Sequence, residues 1–133
     1  MEGFHWQENF GIGIDSLDIE HQSVLGYLGQ LLAALENGKH RESVRFISLA
    51  LENAVNAHFV HEESLMKMVG YPARGRHLKQ HADFFASLRH LLYDFSGETK
   101  EDLKAVQHLR KRFLEHILLE DKSYGRFMRT GMQ

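Results

Sequence analysis

Residues 47–69 read ISLALENAVNAHFVHEESLMKMV, and this stretch carries the pattern that decides the fold. One set of its residues recurs at steps of three and four, which is the spacing of a single face of an α-helix. That face consists of Ile47, Leu51, Ala54, His58, Glu62, Leu65 and Val69. His58 and Glu62 are polar although they occupy the face that an amphipathic helix buries. The stretch therefore predicts a helix over about 40–69 that carries polar side chains into a core.

Three further segments show the same periodicity, at about 16–37, 73–95 and 99–121. Their inward faces are His21, Val24, Leu25, Leu28, Leu31, Leu32 and Leu35; then His77, His81, Phe84, Leu88, Leu92 and Phe95; and finally Val106, Leu109, Phe113, His116, Ile117 and Glu120. Gly and Pro punctuation separates the segments. Residues 1–15 form an extended arm with apolar residues at even positions. We therefore expect one domain over 1–133, all-α, folded as an up-down-up-down antiparallel four-helix bundle with an extended N-terminal arm.

Composition excludes several classes of protein. The chain has 133 residues, a formal net charge of −2 and no cysteine. Its scattered basic residues give no electrostatic footprint for nucleic acid, and no stretch approaches the roughly 20 apolar residues that cross a bilayer. The acidic, aromatic N-terminus is unlike a signal peptide, so we expect a cytoplasmic protein without membrane insertion. Without cysteine, any metal must be held by nitrogen and oxygen atoms.

Histidine is unusually abundant, with ten residues in the chain. The pairs His58 with Glu62 and His77 with His81 are four residues apart, so both members of a pair lie on the same helix face. Any single one of these histidines is more readily explained as a satisfied core or surface residue than as a ligand. Polar residues on all four inward faces, however, are explained more simply by one shared ligand set, because each buried polar group is otherwise costly.

The remaining histidines fall outside the inward faces. His5 lies in the arm, His40 follows a turn, and His90 and His108 are off the apolar stripes, so we expect all four at the surface. His61 is one turn from His58; it could be an alternative ligand, but its angular position fits the rim of the helix interface better.

The donor types indicate which metal is bound. Imidazoles combined with carboxylates that can bridge suit iron or manganese better than zinc, which favours a closed site of four ligands. Oxygen-activating di-iron bundles carry Glu-x-x-His pairs and are rich in carboxylates, a pattern that this chain lacks. A set rich in histidine and poor in carboxylate favours holding dioxygen reversibly over cleaving it.

At this point the sequence resembles the hemerythrin family, in particular its bacterial single-domain members. The likeness covers nearly the whole chain and rests on Ile14-Asp15 through His21, His58-Phe59-Val60-His61-Glu62-Glu63 with Met66, Gly70-Tyr71-Pro72 before His77 and His81, and His116-Ile117 with Asp121. The resemblance implies two iron ions joined by an oxo or hydroxo bridge, with dioxygen as the ligand. It implies that His77, His81 and His116 hold one iron, that His21 and His58 hold the other, and that Glu62 and Asp121 bridge the two.

Helical spacing and the resemblance disagree in the last helix. Asp121 is five residues after His116, about 140° around an ideal helix, so spacing alone favours Glu120. The resemblance implies Asp121, and a local widening such as a π-bulge would supply the missing reach. Glu120 would then have a supporting or exposed position. The chain also departs from many relatives, which have a tryptophan where it has Arg112 and an asparagine where it has Gly29; these changes affect the pocket wall and hence oxygen affinity and autoxidation.

The expected function is reversible dioxygen binding, for transport, storage or delivery. We do not expect an enzyme, beyond a weak peroxidase-like side activity. Two alternatives belong to other classes: a di-iron enzyme that reduces peroxide or nitric oxide, and an oxygen- or redox-sensing module. The chain is short for a sensor with an output domain. Tyr27 and Tyr124 are the residues that could bring further chemistry near the centre. The partner that receives oxygen or supplies electrons is not identified by the sequence.

Overall fold

The structure is a computed structural model that describes residues 6–38, 41–93 and 99–131. His5, His40 and Phe95, which the sequence analysis assigned to the surface or to the third helix, lie outside the described residues. The helices are α1 (Asp15–Glu36), α2 (Arg41–Val69), α3 (Arg74–Tyr93), α4 (Thr99–His116) and α5 (Lys122–Thr130), and a π-helical turn (Ile117–Asp121) joins α4 to α5. Within the described ranges there is no strand.

The helices form the predicted all-α antiparallel bundle. Each long helix packs against its neighbours in sequence, and α1 also packs against α4. The register of α2 and α3 shows their antiparallel course, because Arg89 late in α3 pairs with Glu52 in the first half of α2, whereas His81 earlier in α3 contacts Glu63 further along α2. Each of the helices α1 to α4 therefore contributes side chains to the interior of the bundle.

The inward stripe of α1 is buried as predicted, from His21 through Leu35. The stripe of α2 lies slightly to one side of the prediction, since its buried residues are Ser48, Leu51, Val55, His58, Phe59, Glu62 and Met66. Val69, predicted to face inward, is 40% exposed, whereas Met66 is fully buried. The helix ends at Val69, and the next residue, Gly70, has a positive φ of 65° with which the chain enters the turn. His58 and Glu62 nevertheless stay on the buried face.

The fourth rod of the bundle, formed by α4, the π-helical turn and α5 in succession, is longer than the predicted fourth helix. The expected end at 121 is where the π-helical turn finishes, and the chain continues as α5 to Thr130. Helical backbone angles persist on both sides of the turn, at His116 and at Lys122. The α5 extension gives the N-terminal arm a surface to pack against.

The arm contains a short 3₁₀ turn (Glu8–Phe10) and then crosses α5. Ile12 is buried, and its carbonyl accepts a hydrogen bond from Arg129. Gly125 makes this crossing possible, because a Cβ there would lie 2.1 Å from the Ile12 carbonyl oxygen. Among the described residues, no helix combines the length and the apolarity needed to cross a membrane.

Candidate metal centre

The seven residues chosen from the sequence as metal ligands lie together in the bundle interior. They form two groups that could each hold an ion: Glu62, His77, His81, His116 and Asp121 in one, and His21, His58, Glu62 and Asp121 in the other. In each group the candidate donor atoms lie within 4.8 Å of one another. We call His77, His81 and His116 the three-histidine half and His21 and His58 the two-histidine half. Glu62 and Asp121 belong to both.

Glu62 divides its two oxygens between the halves. Its Oε1 lies 2.9 Å from His77 Nε2 and 3.1 Å from His81 Nε2. Its Oε2 faces the other way, 3.7 Å from His58 Nε2 and 3.9 Å from His21 Nε2. A carboxylate in this position can place one oxygen on each of two neighbouring cations.

Asp121 is arranged in the same manner. Its Oδ1 lies 2.8 Å from His77 Nε2 and 3.2 Å from His116 Nε2, and its Oδ2 lies 3.0 Å from His21 Nε2. The π-helical turn makes this possible, since its i→i+5 hydrogen bond from Lys122 N–H to Ile117 C=O widens the helix just after His116. The widening brings residues 116 and 121 to the same side, as the sequence analysis anticipated.

Ideal helical spacing, which favoured Glu120, was therefore wrong at this point. Glu120 lies at the surface, where its Oε1 accepts a hydrogen bond from Arg76 Nη2 at 2.7 Å. His61 also lies outside the inward groups: its side chain is 38% exposed, and its Nδ1 is 2.7 Å from Glu20 Oε2. The predicted rim position of His61 is the one observed. His90 and His108 are exposed, as predicted.

Two outer carboxylates were missed by the sequence analysis. Glu20 Oε1 lies 2.8 Å from His58 Nδ1, and Glu63 Oε2 lies 2.8 Å from His81 Nδ1. A ring that donates its Nδ1–H to a carboxylate keeps the lone pair of Nε2 free for a cation and cannot rotate away. Burial would raise the pKa of the Glu20 carboxyl, but its bonds to His58 and His61 lower it. The available signal was that each carboxylate directly adjoins a candidate ligand in the sequence.

The electrostatics of the site keep its carboxylates ionised. Burial would raise the pKa of the Asp121 carboxyl, but the surrounding imidazoles, above all His116, hold it well below its usual range. Burial and the nearby Asp121 charge would likewise raise the pKa of Glu62, and the imidazoles of His77 and His81 beside its Oε1 lower it instead. Burial disfavours a charged His77 ring, yet its hydrogen bond to Asp121 and the adjacent Glu62 carboxylate raise its pKa to about 9. The fixed negative charge of the two carboxylates thus attracts positive charge into the core.

A bound cation is the simplest account of the donors that hydrogen bonds do not satisfy. Buried atoms without a hydrogen-bond partner include Nε2 of His21, His58 and His81, both oxygens of Glu62 and Oδ2 of Asp121. In addition, the Nε2 atoms of His77 and His116 face each other at 3.1 Å. Unpaired buried polar atoms are rare because each costs free energy. The residues present therefore fit one or more metal ions with nitrogen and oxygen ligands.

A cavity of about 300 Å³ lies beside the three-histidine half, between α3 and α4. Its walls include Phe59, His81, Phe84, Arg112, Phe113 and His116. The Arg112 guanidinium, noted above as a departure from many relatives, rests over the Phe84 ring at 5.5 Å. His116 is the least buried of the seven residues, with 15% of its side chain exposed. One edge of the centre is therefore closer to solvent than the rest.

Comparisons with known proteins identify the family of the chain. A family model described as "Hemerythrin HHE cation binding domain" matches residues 12–127. A protein named bacteriohemerythrin from Stenotrophomonas maltophilia (strain R551-3) is 26% identical over 122 residues, covering 90% of this chain and 78% of that relative. Another of the same name, from Clostridium acetobutylicum, is 26% identical over 129 residues and is covered over 98% of its length. Because the family model spans most of the sequence, the chain belongs to the hemerythrin HHE cation-binding domain family.

Proposed function

We propose that the chain binds dioxygen reversibly at a centre of two iron ions, held by the seven residues described above. The observation that carries the proposal is the division of each carboxylate between the two halves. Glu62 and Asp121 each direct one oxygen to the three-histidine half and the other to the two-histidine half. A single ion would not need this division, whereas two neighbouring ions are bridged by it.

The donor counts of the two halves support a division of roles. The three-histidine half has five candidate donors, and the two-histidine half has four. With one further oxygen shared between the ions, an ion of about six ligands would be saturated in the first half and one ligand short in the second. We therefore propose that dioxygen is taken up on the two-histidine side, at His21 and His58.

The protein itself orients the ligand side chains and excludes water from them. Glu20 and Glu63 orient two of the imidazoles, and the side chains of His21, His58 and Glu62 are at most 1% exposed. The iron ions would supply the reducing electrons for reversible oxygen binding. A buried pocket slows the loss of the bound ligand by limiting access of water and protons. Besides the ligands, the buried titratable groups that the structure describes near the centre are the phenols of Tyr71 and Tyr124.

One observation favours a second candidate, a di-iron enzyme that reduces peroxide or nitric oxide. The cavity of about 300 Å³ beside His81 and His116 is larger than dioxygen needs and would admit a bigger substrate or a reductant. Under this alternative the three-histidine half would face the reacting molecule. The two proposed functions therefore differ in one respect: an oxygen-binding protein releases its ligand unchanged, whereas the enzyme releases a reduced product.

The test starts from iron content and then follows the optical spectrum. We expect two irons per chain, because Glu62 and Asp121 each direct one oxygen to either half, and a single tightly held zinc would overturn the proposal. The reduced protein is then exposed to air and degassed through several cycles. A ligand-to-iron charge-transfer band that appears and disappears with the gas supports oxygen binding. Steady consumption of oxygen or peroxide without a persistent oxygenated form would favour the enzyme.

A further inference from the structure

Tyr124 is a buried polar residue that the proposed function leaves without a role. Its side chain has no solvent exposure, and its hydroxyl has no hydrogen-bond partner. A buried phenol ordinarily finds a partner, because an unsatisfied hydroxyl costs free energy. Most of the other buried, unpartnered side-chain atoms belong to the candidate ligands themselves. Like the donor atoms of the candidate ligands, the Tyr124 hydroxyl is therefore buried without a hydrogen-bond partner.

The position of Tyr124 connects it with that centre. It follows Asp121 by three residues, directly after the π-helical turn, so the two side chains project from the same side of the helix. Its ring is held edge-on against Tyr71 at 5.0 Å, and the Tyr71 ring in turn lies 6.4 Å from that of His77. Packing against Tyr71 thus fixes the Tyr124 ring with one side chain between it and His77.

The charges around Tyr124 also favour a donor role. Burial, followed by the negative charges of Glu62 and other neighbours including Asp121, raises the pKa of the phenol to about 12. The hydroxyl consequently keeps its proton under ordinary conditions and can donate it in a hydrogen bond. Neither Glu62 nor Asp121 accepts such a bond directly, because no partner lies within reach of the Tyr124 hydroxyl.

We infer that the Tyr124 hydroxyl is a hydrogen-bond donor to a solvent-derived oxygen, water, hydroxide or oxide, held at the centre. This inference rests on the proposed metal centre and goes beyond it by giving Tyr124 a positioning role. The hydroxyl supplies a polar contact that only the loaded centre completes. Tyr124 thereby couples metal retention to the packing of α5, the helix against which the N-terminal arm lies.

The test is Tyr124→Phe, measured in both the iron-loaded and the iron-free protein. In the loaded protein we expect iron release to a chelator to be about three- to tenfold faster, since one hydrogen bond is lost. The charge-transfer bands should shift as well, which a purely structural defect would not cause. In the iron-free protein the unfolding midpoint should stay the same or rise, because the change removes an unsatisfied buried hydroxyl.

Tyr93→Phe is the matched control, since Tyr93 is 64% exposed at the end of α3 and was given no role at the centre. It should change neither iron release nor the bands. Equal stability loss in the loaded and iron-free forms of Tyr124→Phe would mean that the hydroxyl serves the fold through a buried water, and the inference would be wrong. Unchanged release and bands would also overturn it, while the proposed function would stand. Wild-type protein that takes up no iron would instead overturn the proposed function and the inference together.

Discussion

The two halves of the centre differ in how completely the bundle encloses them. In the two-histidine half, His21 and His58 are 0% and 1% exposed, and α1 and α2 pack closely around them. In the three-histidine half, His116 is 15% exposed and borders the cavity between α3 and α4. The half with fewer protein donors is thus the more deeply buried one.

This difference shows that coordination and access are separate properties of the bundle. A small neutral gas can reach a sealed position through thermal motion of the packing, whereas larger or charged molecules reach only the open edge. The arrangement suits a centre whose ligand must be bound without being attacked by water. The following predictions test this contrast, beginning with the change expected to have the largest effect.

Loss of a shared carboxylate should damage both halves. We expect Asp121→Ala to lower iron content from two per chain to one or none, because it removes a bridging negative charge and leaves the buried imidazoles facing one another. Glu120→Ala is the control, since Glu120 pairs with Arg76 at the surface. Iron analysis after purification distinguishes the two variants, and an equal loss in both would contradict the asymmetry created by the π-helical turn.

Loss of one histidine should affect mainly its own half. His58→Ala should retain one iron per chain and abolish the reversible charge-transfer band, because the two-histidine half keeps only His21. The exposed residue His108 provides the control through His108→Ala. A variant that still binds and releases oxygen with one iron would show that dioxygen does not bind on the two-histidine side.

The outer carboxylates should have smaller effects, and each should act on a different half. Glu20→Ala and Glu63→Ala should each weaken iron affinity about 10- to 100-fold, since an imidazole loses the acceptor that orients it. Glu20→Ala should lower occupancy of the two-histidine half first and therefore oxygen binding, whereas Glu63→Ala should loosen the iron beside His81. Competition with a chelator, followed by the oxygenation spectrum, measures both. If the two variants lost the same fraction of oxygen binding at equal iron content, the proposal that Glu20 and Glu63 support different halves would be wrong.

Filling the cavity should have the smallest effect on oxygen itself. Arg112→Trp should cover the edge of His116 and slow reduction of the oxidised centre by a bulky reductant, while oxygen affinity changes less than about twofold, or 0.4 kcal/mol. Lys111→Trp, at the exposed neighbouring position, controls for the added aromatic surface. Stopped-flow reduction and oxygen titration give the two numbers. A large change in oxygen affinity would indicate that dioxygen binds beside this cavity and not on the two-histidine side.

Much of the fold followed from periodicity alone. The stripe of α1 is buried from His21 to Leu35, and the bundle topology is the predicted one. Prediction was weaker at helix ends, where Val69 is exposed and the fourth rod continues to Thr130. Ends depend on what the adjoining chain packs against, and α5 is covered by an arm that is remote in sequence. The seven candidate ligands lie together, but their role as iron ligands stays a prediction.

By itself the sequence determined most of the side chains that reach the interior, among them the inward stripe of α1 and the pair His58 and Glu62, because a spacing of three and four assigns a residue to a helix face whatever lies opposite. Only the tertiary structure decided how those side chains meet. The division of the Glu62 and Asp121 oxygens, the outer bonds from Glu20 and Glu63, and the cavity beside His116 all depend on distances between different helices. The choice of Asp121 over Glu120 depends on a π-helical turn that ideal helical geometry does not contain.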